Sequence, residues 1–327
     1  MGRYALLQAW CVCLALGAAP AQADEWDRLT KLGDQEVVAG NYAEALTLYR
    51  DALRIAEAAK PADPRLAASL DYVGNVYGSL GNWMESEHAF RRALGLMEAI
   101  AGRDSIGCGL VQLDLGTMYG NSGRHDRAEP ALRDALAILS RVLPANDPRI
   151  AIARGSYATI MLARRQYRDA EDLLHQAVTV LEKQSERYCV PVGHSYNTLG
   201  MAMRGEGRSD EALALFEKSV QTIEACKGPD HPALVQPLNN LAIAYAEQHK
   251  NADADAVYLR ALSMCERRLG ENHPMYGGML WNYSVFLRQT KRKSEAKKVA
   301  AHSQSVFRES ARRNGDGLLV DVSSFRQ

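Results

Sequence analysis

The chain has 327 residues and a mass of 36.0 kDa, with 39 Lys and Arg balanced by 39 Asp and Glu. No overall field therefore draws it to nucleic acid or to an acidic membrane. Apolar residues at 47% and charged residues at 24% exclude a disordered chain, and aromatics at only 7% beside abundant Ala, Leu and Val favour close-packed helices over sheet.

Residues 1–23 read as an export signal. Arg3 supplies the positive start, an uncharged stretch runs from Tyr4 to Ala19 with only Gln8 interrupting it, and Ala21-Gln22-Ala23 places small residues before Asp24. The apolar run is shorter than the ~20 residues of a spanning helix. Cleavage after Ala23 is thus the expectation, with an uncleaved anchor as the alternative. Cys11 and Cys13 lack the preceding residues of a lipoprotein signal. Cleavage would leave Cys108, Cys189, Cys226 and Cys265 in an exported chain, where disulfides are permitted. Their spacing matches no zinc pattern. No stable membrane span is expected after the signal.

From residue 24 to 313 one phrase returns seven times. A turn residue is followed by a small or acidic residue and Ala, then a large apolar residue, then Ala or Ser with an apolar neighbour. The turn positions are Gly40, Gly81, Gly123, Arg165, Gly207, His249 and Lys291, spaced by 41 and then five times by 42. Seven residues before each stands a small residue: Gly33, Gly74, Gly116, Ala158, Gly200, Ala242 and Ser284. Apolar residues between these landmarks recur at three- and four-residue steps, the helical period. Each unit is therefore predicted to be two helices joined at a left-handed turn, with small residues where the helices cross. A bulky residue at Ala261 should cost about 1–3 kcal/mol by overpacking.

Between units stand Asp63-Pro64, Asp147-Pro148, Gly228-Pro229-Asp230-His231-Pro232 and Gly270-Glu271-Asn272-His273-Pro274. Gly ends a helix, a polar side chain caps the next, and Pro occupies its first turn. His231 and His273 occupy equivalent loops, and capping explains them better than a metal, for which no third ligand stands at matching spacing. Neither metal nor cofactor is expected.

These residues, with Asn240-Leu241-Ala242 and the recurring Glu-Ala…Ala-Leu phrase, resemble the long, 42-residue tetratricopeptide repeats of kinesin light chains and bacterial relatives. The resemblance implies an all-α, right-handed superhelical solenoid of about seven helix-turn-helix repeats, whose first helices line a concave groove that takes extended peptides or helices. Kinesin light chains are cytoplasmic and this chain reads as exported, so motor and cargo binding are not carried over.

On that frame, positions ten, nine, six and three residues before each turn face the groove. The informative ones are Asn197, Arg204, Asn239, Asn240, Trp281, Asn282 and Arg288. Asn amides pair with peptide backbone, Trp281 anchors an apolar side chain, and the arginines hold carboxylates. The alternative for Asn240 is a bond to a neighbouring helix. Cys189, after unit four, and Cys226, late in unit five, are expected within reach of one disulfide. Lys291, Arg292, Lys293, Lys297 and Lys298 form a basic patch that either is solvated or touches an anionic surface. Ser303 and Gln304 replace the usual Ala-Leu pair as a polar cap on the last repeat. Residues 314–327 read as a tail, in which Leu318 to Val322 folds back on the last helix.

No nucleotide loop, nucleophile elbow or metalloprotease motif is present, and an enzyme is not expected. Two functional readings remain. The first is an exported, preferably periplasmic and alternatively secreted, adaptor that binds a peptide or protein partner in its groove. The second is a structural subunit that assembles an envelope complex or oligomer through convex or terminal faces.

Overall fold

The computed structural model describes residues 20–59 and 63–314. Most of the expected export signal, Cys11 and Cys13, and the tail from residue 315 lie outside the described residues. Among the described residues fourteen α-helices follow one another: α1 (Pro20–Ala39), α2 (Tyr42–Ala58), α3 (Pro64–Ser79), α4 (Trp83–Ala101), α5 (Ile106–Asn121), α6 (His125–Val142) and α7 (Pro148–Ala163), then α8 (Tyr167–Leu181), α9 (Ser185–Gly205), α10 (Ser209–Lys227), α11 (Val235–Glu247), α12 (Asn251–Leu269), α13 (Pro274–Gln289) and α14 (Lys293–Asn314). They form seven consecutive helix-turn-helix pairs, with no strand among the described residues. The chain divides into unit 1, up to Ile160, and unit 2, from Met161 onward. Within each, the odd-numbered helix of a repeat packs on the even-numbered one that follows it and touches the odd-numbered helix of the next repeat. No helix among the described residues is long and apolar enough to cross a membrane.

The seven turns bear out the expected register. Gly40, Gly81, Gly123 and Gly207 have φ of 80°, 71°, 77° and 81°, and the non-glycines Arg165, His249 and Lys291 share that left-handed backbone at 60°, 58° and 66°. A Cβ is penalised there. Arg165→Gly, His249→Gly and Lys291→Gly are each expected to stabilise by about 1 kcal/mol and to raise the thermal midpoint by roughly 2–4 °C. Calorimetry of the three variants checks this.

Where the residue seven before the turn is Gly, it meets the large one nine after the turn. A Cβ on Gly200 would lie 2.7 Å from the Phe216 ring, on Gly116 2.7 Å from Leu132, and on Gly33 2.4 Å from Tyr49. The large partners are fully buried, as is Ala261. Between repeats the caps act as read. Asp63 and Asp147 accept from the backbone N–H of Arg65 and Arg149, both at 2.9 Å. Nδ1 of His231 and of His273 accepts from the Ala233 and Met275 amides at 3.2 and 3.1 Å. Gly228 and Gly270, at φ 81° and 93°, end α10 and α12.

One set of contacts has no counterpart in the pattern read above. Arg124, Arg208 and Arg292, each one residue after a turn, reach back to Glu87, Glu171 and Asp255 in the preceding repeat at 2.5, 3.2 and 2.8 Å. The signal lies in the sequence only when alternate repeats are aligned: Arg follows the turn in repeats three, five and seven, and an acid stands six after it in repeats two, four and six. Glu87 also accepts from the Tyr119 hydroxyl at 2.9 Å. Burial pushes its carboxyl up, yet Arg124 and Tyr119 outweigh burial and hold it below the usual carboxylate range. The native state thus prefers the carboxylate. Its contribution is present above the unfolded value of about 4.3 and is lost as pH falls through the lower folded value. In urea titrations Glu87→Gln should lower the midpoint at pH 7 and flatten its decline between pH 5 and pH 3.

Two expectations about the end of the chain change. Ser303 is not an outward polar cap: it is buried and donates to the Gly277 carbonyl at 2.8 Å, as Ser219 does to that of Gly193 at 2.6 Å two repeats earlier. Because a hydroxyl replaces Ala's methyl group against a helix carbonyl, the substitution belongs to the core, and Gln304 with the exposed lysines forms the polar outer face. Arg292 leaves the basic patch, engaged by Asp255 and by Glu295 at 2.6 Å, while Lys291, Lys293, Lys297 and Lys298 remain exposed.

Candidate functional site

All seven candidate groove residues lie on the first helices of unit 2, α9, α11 and α13. Their helical spacing puts Asn197, Asn239 and Trp281 at one level and Asn240 and Asn282 at the next, so each helix meets its neighbour through an amide. Asn240 Nδ2 donates to Asn197 Oδ1 at 2.9 Å, and Asn282 Nδ2 donates to Asn239 Oδ1 at 3.2 Å. The two bonds differ in setting. Asn197 and Asn240, at 3% and 7% exposure, are closed on each other inside the protein, which is the neighbouring-helix use of Asn240. Asn239 and Asn282 are half-buried and keep an open side.

Trp281 is half-buried too, and its Nε1 is buried without an acceptor. Such a donor costs about 1–3 kcal/mol relative to a satisfied one. Arg204 is half-buried, with one guanidinium nitrogen buried and unbonded and Glu247 at 4.0 Å; Arg288 is exposed. Within electrostatic reach of Arg204 and Glu247 is the buried Tyr258, whose phenol burial pushes well above its ordinary range, with Glu247 adding to the rise and Arg204 opposing it. The face therefore offers half-open amides, an indole and two guanidinium groups, chemistry suited to recognition. Sequence reasoning missed Met201, Ile243 and Val285, half-buried apolar residues at the level six before each turn, which stand between the named polar groups. The counterpart level in unit 1 holds Asn75, Thr117 and Thr159, and that contrast was legible in the repeat alignment.

Cys189 and Cys226 are joined by a disulfide, with Cα atoms 6.5 Å apart. It ties the start of α9 to the end of α10, next to the helix that carries Asn197 and Arg204. Cys108 and Cys265 are free and buried, and burial pushes both thiols up, Cys265 to about 12. Thiols so raised are poor nucleophiles. A cavity of about 350 Å³ in unit 1 touches Cys108 but none of the groove candidates.

A tetratricopeptide-repeat family model matches residues 28–99, 65–141, 105–183 and 192–267. Among solved structures, the Rap conjugation gene regulator of plasmid pLS20 in complex with the Phr* peptide is 14% identical, with a TM-score of 0.69 over 92% of this chain and 79% of that one. BtubC (BKLC) from P. vanneervenii is 18% identical, with a TM-score of 0.50 over 62% of this chain and 81% of that one. Nearly identical TPR-like repeats from Podosopora anserina, named for kinesin light chain, are 21% identical, with a TM-score of 0.44 over 62% of this chain and 95% of theirs. No curated protein matches the sequence.

Proposed function

We propose that this chain, which belongs to the tetratricopeptide-repeat family, is an exported scaffold that holds a peptide segment of a protein partner on the first-helix face of unit 2. The observation that carries the reading is Trp281. A half-exposed indole whose N–H is buried without an acceptor lowers stability, and a residue kept at that cost serves a ligand rather than the fold. The structurally similar Rap regulator is in complex with a peptide, and that supports a peptide as the partner. The export signal, read from residues 1–23, and the Cys189–Cys226 disulfide both suit an oxidising compartment, with a periplasm preferred.

Affinity capture from periplasmic extract tests the binding reading. Asn239→Ala combined with Trp281→Ala should abolish recovery of the partner while the thermal midpoint holds, and undiminished recovery overturns it. Trp281→Phe separates fold from function further: by removing the unsatisfied donor it is expected to leave stability unchanged or raise it by up to about 2 kcal/mol, and to weaken capture. Export is tested by the mass of the periplasmic protein, which should begin at Asp24; a chain retaining Met1 in the cytosol overturns it.

A second reading rests on α14, whose outward Lys293, Lys297 and Lys298 carry no ion pair among the described residues. In it the terminal face assembles the chain onto an anionic envelope surface. Binding to anionic but not zwitterionic vesicles, lost on Lys297→Glu/Lys298→Glu, is its expected result.

A further inference from the structure

The first-helix face of unit 2 has a periodicity of its own. Met201, Ile243 and Val285 recur once per helix along α9, α11 and α13, all half-buried, whereas the same level in unit 1 is polar throughout. That level lies at the seam between successive first helices: in unit 1 Asn75 Nδ2 reaches Asp114 at 3.1 Å and Thr117 Oγ1 reaches Ser156 at 3.3 Å. In unit 2, Met201 Sδ lies 4.0 Å from Asn197 Nδ2. One helical turn back from Ile243 and Val285 stand Asn239 and Trp281, so those two apolar sites each have a polar group beside them.

We infer that the occupant is a peptide in the polyproline II conformation with an apolar side chain at every third residue. The inference rests on the groove reading above and specifies its ligand. Packed helices lie about 8–10 Å apart, and three residues of polyproline II advance about 9 Å while completing one turn. Residues 1, 4 and 7 of such a peptide therefore present one face to Met201, Ile243 and Val285 in register. A β-strand fails, because residues three apart point to opposite sides. An α-helix with a seven-residue repeat advances about 10 Å per site, but its backbone is internally bonded and leaves the half-open amides of Asn239 and Asn282 unanswered. Polyproline II has no internal hydrogen bonds, and its free carbonyl and N–H groups suit amides that both donate and accept.

The test is fluorescence anisotropy of the full-length, oxidised protein with labelled synthetic peptides. One series is Pro-rich with Leu at positions 1, 4 and 7; others place Leu at 1, 3 and 5, or present a helix with Leu at heptad spacing. The every-third peptide is expected to bind at least tenfold more tightly than the rest. Ile243→Asp should weaken it tenfold or more, and Ile243→Leu should preserve it, at unchanged thermal midpoints. Equal or better binding by the alternating or heptad peptides, or no binding by the every-third peptide, overturns the inference. If peptides bind regardless of spacing and Asn239→Ala/Trp281→Ala removes that binding, the spacing rule fails while the groove reading stands. If that double variant changes neither peptide binding nor partner capture, the groove reading fails as well.

Discussion

Reducing the Cys189–Cys226 disulfide, or replacing both cysteines with Ser, is expected to destabilise unit 2 by about 4 kcal/mol and to lower its thermal midpoint by roughly 8–16 °C. The magnitude follows from the loop closed, a separation of 37 residues, which the disulfide denies to the unfolded chain. The location gives the bond a second role. At the other late junctions Gly228 and Gly270 stop one helix and His231 or His273 caps the start of the next segment. Between α8 and α9 there is no such Gly and no capping side chain: the chain passes through Glu182–Gln184 as a 3-10 turn and kinks at Tyr188, with φ −114° and ψ 26°. The disulfide pins this uncapped junction to α10, helped by the Tyr196 hydroxyl on Glu182 and by Lys218, 3.6 Å from the same carboxylate. Cys226 is exposed, so a dithiol reductant reaches the bond. Coincident urea curves for the oxidised and reduced protein would show that the crosslink adds nothing.

Phe216→Ala should cost about 3–5 kcal/mol. Phe216 is fully buried, and its ring fills the space that Gly200 leaves vacant on α9. Removing it opens a cavity that the crossing helices cannot collapse, because Ala212 and Ser219 already press α10 against α9. Gly200→Leu alone overpacks the same spot, with a Cβ 2.7 Å from the ring and 3.2 Å from the Ala212 carbonyl, and should cost about 1–3 kcal/mol. Combined, the two changes exchange the sizes of the pair. The double variant is therefore expected to be more stable than the sum of the single effects by about 1 kcal/mol or more. Strict additivity in a denaturant-based double-mutant cycle would rule out this knob-and-hole account.

Both effects bear on function through α9, which carries Arg204 and one half of the buried amide pair. If α9 loses its anchor at Cys189 or its packing on Phe216, the level at which Met201 meets the α11 seam shifts. Partner capture by the reduced protein is then expected to fall even where global unfolding has not begun.

The amino-acid sequence by itself determined the local rules of this protein. Seven turns, their left-handed backbone, the pairing of small with large residues across each crossing, and the Asp-Pro and His-Pro helix starts all depend on neighbours within about one repeat. Such contacts are written directly into spacing. Even Arg165, His249 and Lys291 betrayed their backbone by standing where Gly stood elsewhere. Only the tertiary structure decided how equivalent positions are used. Asn197 and Asn240 read alike with Asn239 and Asn282, yet the first pair is sealed and the second half-open, because exposure depends on what the adjacent repeat lays over each amide. Ser303 looked like a surface cap until Gly277 supplied a carbonyl in the core, and Arg292 looked like part of a basic patch until Asp255, 37 residues earlier, took its charge. In a repeat array the spacing repeats but the neighbour does not, and the neighbour sets whether a side chain serves the fold or is left for a partner.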